Sequence, residues 1–250
     1  MDGYTAFAPY YDTLSFDEFS KQCVLYLDQL LSAFGFKGYK ILDLACGTGT
    51  AAILLAKSGY QVTGIDISAP MIRIAKQKAK STTLPVRFYC RDMRTFNFRQ
   101  RYDLVTCFFD AMNHLYTYRD FATVCSNASQ VLQPHGIFIF DLNTEYGLKA
   151  HWRNKRSEQR KQNLRRIFNS TYHSRKKIAT VTATLYIAQR KGTKTIISKF
   201  MNRAYTAKQV HRAIQTAGLA LVAEYDCLTL IPASKTSSRI MYIAKKINGF

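Results

Sequence analysis

Residues 42–50 read LDLACGTGT, an apolar run that stops at Asp43 and is followed by two glycines, Gly47 and Gly49, around one threonine. An apolar run closing on an acid and a lean turn marks the end of a buried strand and the entry to a helix. A dinucleotide fingerprint asks for three glycines as G-x-G-x-x-G, and a Walker loop asks for Lys-Ser or Lys-Thr after the turn. Neither is present, which weakens the case for a pyrophosphate at the helix N-terminus. Glycine at 47 and 49 is expected where the backbone bends sharply and a Cβ would collide with the ligand.

Outward from this stretch, short apolar strands alternate with helical segments: YKILDLA and TAAILLAKSG, YQVTGID and APMIRIAKQKAK, PVRFYC, RYDLVTCFF and YRDFATVCSNASQVL, GIFIFDLN. That rhythm predicts an α/β fold, an open, mostly parallel, doubly wound sheet with helices on both faces. Gly59 and Gly136 are expected at helix ends. A helix over 14–34 precedes the first strand, with Phe16, Phe19, Cys23, Leu27, Leu30 and Phe34 three or four apart. After Asn143 the pattern changes to period two. Val181, Ala183, Leu185 and Ile187 alternate with Thr180, Thr182, Thr184 and Tyr186, and KGTK is a turn, which predicts a small inserted antiparallel sheet. A helix capped by Thr206 and ended by Gly218, then strands near 219–230 and 238–245, complete the chain.

The chain has 250 residues and a net charge of +20, of which residues 1–150 carry +2 and residues 151–250 carry +18. The basic half faces something anionic or tolerates a basic surface. Six cysteines without a C-x-x-C pair, and not clustered with the five histidines, suggest reduced thiols and no metal site. No basic leader runs into an apolar segment and no stretch approaches a membrane span, so a soluble cytoplasmic protein is expected.

Three carboxylates fall at successive strand ends, where ligands bind in open parallel sheets. Asp66, about twenty residues past the glycines, suits a ribose diol. Asp92 beside Met93 suits the amine and ring of a base. Asp43, at the crossing point, suits the turn or an ammonium.

DLACGTGT, GIDIS-x-x-M, RDM, YDLVTCFFDAMNHL and RIMYIAKK, in this order, resemble the class I S-adenosylmethionine-dependent methyltransferases over about residues 1–145 and 200–246. The resemblance implies a Rossmann-like seven-stranded sheet and S-adenosyl-L-methionine as cofactor. It assigns Asp43, Ala45, Gly47 and Gly49 to the methionine part, Asp66 and Ile67 to the ribose, Asp92 and Met93 to the adenine, and Phe108 to a wall beside the sulfonium, with Met71 as a further cofactor-binding residue. The methyltransferase domain is expected over 1–144 and 204–250, with a basic antiparallel β lid over 145–203.

The YYD and DAMNHL segments are similar to those of small-molecule N-methyltransferases, including enzymes acting on amino sugars. By that resemblance Tyr11 lies over the cofactor and His114 takes a proton from the acceptor nitrogen; those enzymes favour Gly where this chain has Asn113. Asp110, His151, Arg203 and Tyr205 are candidates for contact with the acceptor, as is Trp152. The expected partner is a small-molecule acceptor, an anionic one included, with no membrane and a monomeric or homodimeric protein. The alternative is an RNA methyltransferase, on tRNA or rRNA, that uses the basic half as a phosphate footprint. A catalytically silent cofactor-binding protein is a third class.

Overall fold

A computed structural model describes residues 3–80 and 82–247. The chain opens with a short helix α1 (Gly3–Phe7) and a helix α2 (Glu18–Ala33). Five strands and three helices follow: β1 (Lys40–Leu44), α3 (Thr50–Lys57), β2 (Gln61–Asp66), α4 (Ala69–Lys80), β3 (Val86–Cys90), β4 (Tyr102–Cys107), α5 (Tyr118–Val131) and β5 (Leu132–Asn143). Helix α6 (Glu145–Trp152) leads into strands β6 (Lys155–Lys161), β7 (Leu164–His173), β8 (Ile178–Gln189) and β9 (Gly192–Arg203). Helix α7 (Ala207–Thr216) and strands β10 (Leu219–Asp226) and β11 (Arg239–Lys246) return to the main sheet.

The main sheet has seven strands in the order β10-β11-β5-β4-β1-β2-β3, with β1 to β5 parallel and β11 antiparallel to both its neighbours. The order reverses at β1 and β4, whose carboxyl ends therefore form the crevice that receives ligands. Alternation along each strand builds the two faces. Leu42, Phe138, Phe140 and Tyr242 pack with α5 and α7, whereas Ile41, Ile139, Met241 and Ile243 pack with α2, α3 and α4. Burial on both sides explains why these strands read as continuous apolar runs.

A second sheet of four antiparallel strands, β6-β7-β8-β9, lies between α6 and α7 in the chain. One face of β8 buries Ala179, Val181, Ala183, Leu185 and Ile187. Leu164, Leu185 and Ile187 form a separate core with Phe7 and Leu14 of the N-terminal segment. Phe7 and Leu14 thus pack against the second sheet, while Tyr4 and Tyr11 of the same segment face the crevice.

Two expectations need correction, and one strand goes beyond what was expected. Helix α2 starts at Glu18 rather than near residue 14, because Ser15 has φ 61° and breaks the helical run. Gly136 lies within β5 rather than at a helix end: a Cβ there would come 2.9 Å from both the Gln133 carbonyl and the Leu132 side chain. The basic run after residue 153 contains a full strand, β6, paired with β7 from Lys155 to Lys161. Six of its seven residues are exposed, so it lacks the hydrophobic alternation that betrays a strand. The remaining capping signals are realised. Thr206 accepts from Gln209 N in a capping box, and Gly59 and Gly218 have φ 97° and 72° past the ends of α3 and α7.

Candidate functional site

Beyond β1 the chain turns through Ala45, Gly47 and Gly49, all left-handed at φ 53°, 55° and 77°. Cys46 N donates to Ile65 O at 2.9 Å and ties this turn to β2. The two glycines serve different needs. A Cβ on Gly47 would meet nothing within 4 Å, and Gly47 lines a cavity of about 390 Å³. A Cβ on Gly49 would lie 2.7 Å from the Phe88 ring and 2.9 Å from Ala75 Cβ, and Gly49 does not line that cavity. Glycine at 49 is thus required by packing of the turn on β3 and α4, not by a ligand.

Asp43, Ala45, Asp66 and Phe108 line the same cavity. Ile67, Met71, Met93 and Tyr11 line it too, so most of the cofactor residues expected from sequence are brought together. Asp66 accepts from Gly47 N through Oδ2 at 2.9 Å and from Ser68 N through Oδ1 at 2.8 Å, which fixes its carboxylate against the glycine turn. Asp92 does not line the cavity; it is held by Arg94, whose Nη2 donates to Oδ2 at 2.6 Å and keeps the carboxyl below the usual carboxylate range.

Asp43 is the exceptional group. It is 2% exposed, its Oδ1 accepts from Thr106 Oγ1 at 2.9 Å, and its buried Oδ2 has no partner among the described residues. Burial pushes its carboxyl up to about 7, against the Thr106 hydrogen bond and with the help of the Asp66 charge. A buried carboxylate oxygen lacking a donor is costly unless a ligand supplies one. Its place on the cavity wall fits an ammonium. Lys199 is the one Lys or Arg among the described wall residues; Lys78, at the glycine turn, does not line the cavity and is engaged by Asp12 and Thr50, each at 2.8 Å.

A second cavity, of about 310 Å³, lies beside the first and is lined by the second sheet. Both share Tyr4, Tyr11, Phe109, His114 and Phe200 as walls. His114 ends a 3₁₀ turn, Ala111–His114, that follows β4. Two successive residues before it, Phe109 and Asp110, are left-handed at φ 62° and 49°, a strained arrangement that needs support from its surroundings. The support is visible: Asp110 N donates to Asp141 Oδ2 at 2.9 Å, and Arg239 donates to Asp110 Oδ1 at 3.0 Å and to Asp141 Oδ2 at 2.9 Å. Asp141 is fully buried, and burial raises its carboxyl to about 6 against the pull of Arg239. His114 Nε2 lies 2.9 Å from Tyr4 Oη and 4.0 Å from Asp110 Oδ2. Asn113, where similar enzymes favour glycine, is a tie between elements: its Nδ2 donates to Asn143 O at 3.1 Å and Arg203 O at 2.8 Å.

Of the acceptor candidates, Asp110, His151 and Trp152 line the second cavity. Arg203 and Tyr205 do not. Tyr205 is buried against Phe121 with ring centroids 4.4 Å apart, and its hydroxyl donates to Leu115 O and Thr117 O at 2.5 and 3.0 Å. Arg203 donates to Tyr116 O and lies over the Tyr205 ring. Both therefore serve packing of the second sheet onto α5. Tyr4, Phe109, Phe200 and Asn202 are wall residues that sequence reasoning missed; Phe109 lies within YDLVTCFFDAMNHL but was given no role, and the signal of the others is aromatic or polar character in segments with no motif. Among the described residues, no group of His, Cys, Asp and Glu is placed to hold a metal, and no helix is long and apolar enough to cross a membrane.

Residues 41–136 match the family model of a methyltransferase domain. The fold is that of solved S-adenosylmethionine-dependent methyltransferases, and residues 41–136 are similar in sequence to a methyltransferase domain. The chain is similar to YqeM of Bacillus subtilis (strain 168), with 37% identity over 144 residues, 57% of this chain and 56% of that protein. It is also similar to the dTDP-3-amino-3,6-dideoxy-alpha-D-glucopyranose N,N-dimethyltransferase of Streptomyces fradiae, with 30% identity over 105 residues, 42% of this chain and 40% of that enzyme. An S-adenosylmethionine-dependent methyltransferase from Clostridium acetobutylicum ATCC 824 superposes with a TM-score of 0.86 at 23% identity, over 98% of this chain and 99% of that one. That likeness concerns the fold. The matched region spans little more than half the length of YqeM.

Proposed function

We propose that the protein transfers a methyl group from S-adenosylmethionine to a small molecule, at nitrogen. The observation that carries this reading is the meeting of two chambers at His114, Tyr4 and Tyr11: one holds Asp43, Gly47 and Asp66, and the other lies under the second sheet. In this reading Asp43 Oδ2 receives the ammonium of the amino-acid part, Asp66 the ribose hydroxyls, and Met71 and Met93 the faces of the base. The bound cofactor supplies a methyl group already activated by a sulfonium, so the chain need only align the acceptor and exclude water. Tyr11 and Phe109 close the junction, and Tyr11 stays neutral because burial, aided by the charge of Asp110, pushes its phenol up. His114 accepts a proton from an acceptor amine that arrives protonated, with Asp110 beside it to favour the resulting charge. Residues 145–203 act as the lid over the acceptor.

The choice of nitrogen rests on His114 and on the Streptomyces fradiae relative, whose name specifies N,N-dimethylation. Incubation with methyl-labelled S-adenosylmethionine and a fractionated cell extract tests the proposal. Label should enter small metabolites and resist mild base, as an N-methyl group does. Label confined to RNA or protein would refute it.

The exposed strand β6, with Lys155, Arg156, Arg160 and Lys161, favours a second reading, methylation of tRNA or rRNA. Part of its charge is already engaged. Glu158 pairs with Arg156, Arg160 and Arg165 at 3.5, 3.3 and 2.8 Å, and Lys177 pairs with Glu145 at 2.9 Å. RNA affinity that falls steeply with salt would support this reading, and a flat response would remove it.

A further inference from the structure

The acceptor chamber has a defined polarity. Three side chains form a relay from β11 through β5 to β9: Arg239 Nε donates to Asn143 Oδ1 at 3.1 Å, and Asn143 Nδ2 donates to Asn202 Oδ1 at 3.0 Å. The oxygen and nitrogen of an asparagine are normally interchangeable, and only the hydrogen-bond network orients them. Here the network begins at a guanidinium, which can only donate. Asn143 must therefore turn its oxygen to Arg239 and its amide nitrogen to Asn202. Asn202 in turn must present its oxygen to Asn143 and its Nδ2 elsewhere. Asn202 is 1% exposed, it lines the acceptor chamber, and its Nδ2 has no partner among the described residues. A buried amide donor left without an acceptor is unfavourable, so a ligand atom with a lone pair belongs opposite it.

Aromatic rings make up about half of the chamber's described walls. Phe7, Phe16, Phe168, Phe200 and Trp152 line it with Val181. Of its polar walls, His151, Lys155 and Ser157 are exposed, Ser170 donates to Lys155 O at 3.3 Å, and Arg239 is committed to Asp110 and Asp141 at 3.0 and 2.9 Å. The rings favour the faces of a ligand ring over a polyhydroxylated sugar. A buried, oriented donor among them selects for one oxygen at one place, because an analogue without that oxygen leaves the amide unpaired.

We infer that the methyl acceptor is a largely apolar, ring-bearing amine carrying one carbonyl or ether oxygen, which accepts a hydrogen bond from Asn202 Nδ2 while its nitrogen faces His114. This inference rests on the methyltransferase reading above and deepens it. Asn202 is then a specificity-determining residue, and the Arg239–Asn143 pair holds its polarity.

Two matched probes test it: 4-aminoacetophenone, which has a ring, an amine and a carbonyl, and 4-isopropenylaniline, which replaces the carbonyl oxygen by a methylene group and keeps the planar shape. Glucosamine serves as the polar amine. Binding of each to the full chain saturated with S-adenosylhomocysteine is followed by ligand-observed NMR titration, for the wild type and for Asn202→Ala and Asn202→Asp. The ketone should bind about tenfold or more tightly than its hydrocarbon twin, and the preference should vanish in Asn202→Ala and reverse in Asn202→Asp. Equal affinity for the two anilines in the wild type, tighter binding of glucosamine, or no binding of either aniline at millimolar concentration overturns the inference. Calorimetric binding of S-adenosylhomocysteine, measured beforehand on each variant, verifies folding. Loss of that signal in the wild type would instead refute the cofactor reading, so the two failures are distinguishable.

Discussion

Arg239, the first residue of the last strand, donates to Asp110 at 3.0 Å across 129 residues of chain. This pair and the adjoining Arg239–Asp141 contact hold a turn whose left-handed Phe109 and Asp110 place His114 at the junction of the two chambers. Arg239 also stacks on the Phe19 ring at 4.4 Å, so its guanidinium is enclosed on several sides. Removing it leaves two buried carboxylates without a cation. Arg239→Met should lower unfolding stability by about 3–5 kcal/mol in urea denaturation at neutral pH. Because burial raises the Asp141 carboxyl to about 6, that acid is neutralised as pH falls and the loss should shrink toward low pH.

Asp43 makes cofactor binding a proton-linked event. Its folded value, about 7, lies above the unfolded one. Its contribution to stability is therefore complete below the unfolded carboxyl pKa and is lost as pH rises through the folded value. Without ligand, Asp43→Asn should be more stable than the wild type near about pH 8, and the advantage should disappear below about pH 4. An ammonium on Oδ2 favours the carboxylate, so binding near neutral pH should release a proton. Calorimetry in two buffers of different ionisation enthalpy measures that release, and Asp43→Asn should abolish it.

The two glycines of the turn should respond differently to alanine. At Gly49 the methyl meets Phe88 and Ala75 and the backbone is left-handed, so Gly49→Ala should cost about 2–4 kcal/mol in thermal or chemical unfolding. At Gly47 the methyl enters the cavity. Gly47→Ala should cost only the backbone strain, about 1–2 kcal/mol, while reducing cofactor affinity.

His114 is expected to act on a protonated amine. His114→Asn should therefore reduce kcat by about 10²–10⁴ at neutral pH with cofactor affinity unchanged. The gap to wild type should narrow as the pH approaches the pKa of the acceptor amine. A deficit of the same size at every pH would mean that His114 positions the acceptor and moves no proton.

Much of the fold was legible because it is written in local periodicity. Ile41 and Leu42 point to opposite faces of a sheet buried on both sides, and Val181, Ala183, Leu185 and Ile187 mark the buried face of β8. Strand β6 was not legible, since an exposed basic edge strand is held by its backbone ladder and has no apolar signature. The cofactor chamber was legible through Asp43, Gly47 and Asp66, which stand at strand ends in a recognisable order. The second chamber was legible only in part, through Asp110, His114, His151 and Trp152. Tyr4, Asn202 and Arg239 meet there from three distant segments, and nothing in their neighbours in the chain records those contacts. Tyr205 misled for the converse reason: its position near the second sheet suggested the acceptor site, whereas its hydroxyl satisfies carbonyls of the loop before α5.

The central claim is that the chamber at Asp43, Gly47 and Asp66 grips an adenosyl amino acid without a phosphate contact. Isothermal titration of the full chain with S-adenosylhomocysteine and, separately, with adenosine diphosphate tests it most directly. Saturable heat with S-adenosylhomocysteine and none with the diphosphate is the predicted result. Absence of heat from S-adenosylhomocysteine, or tighter binding of the diphosphate, would contradict the account.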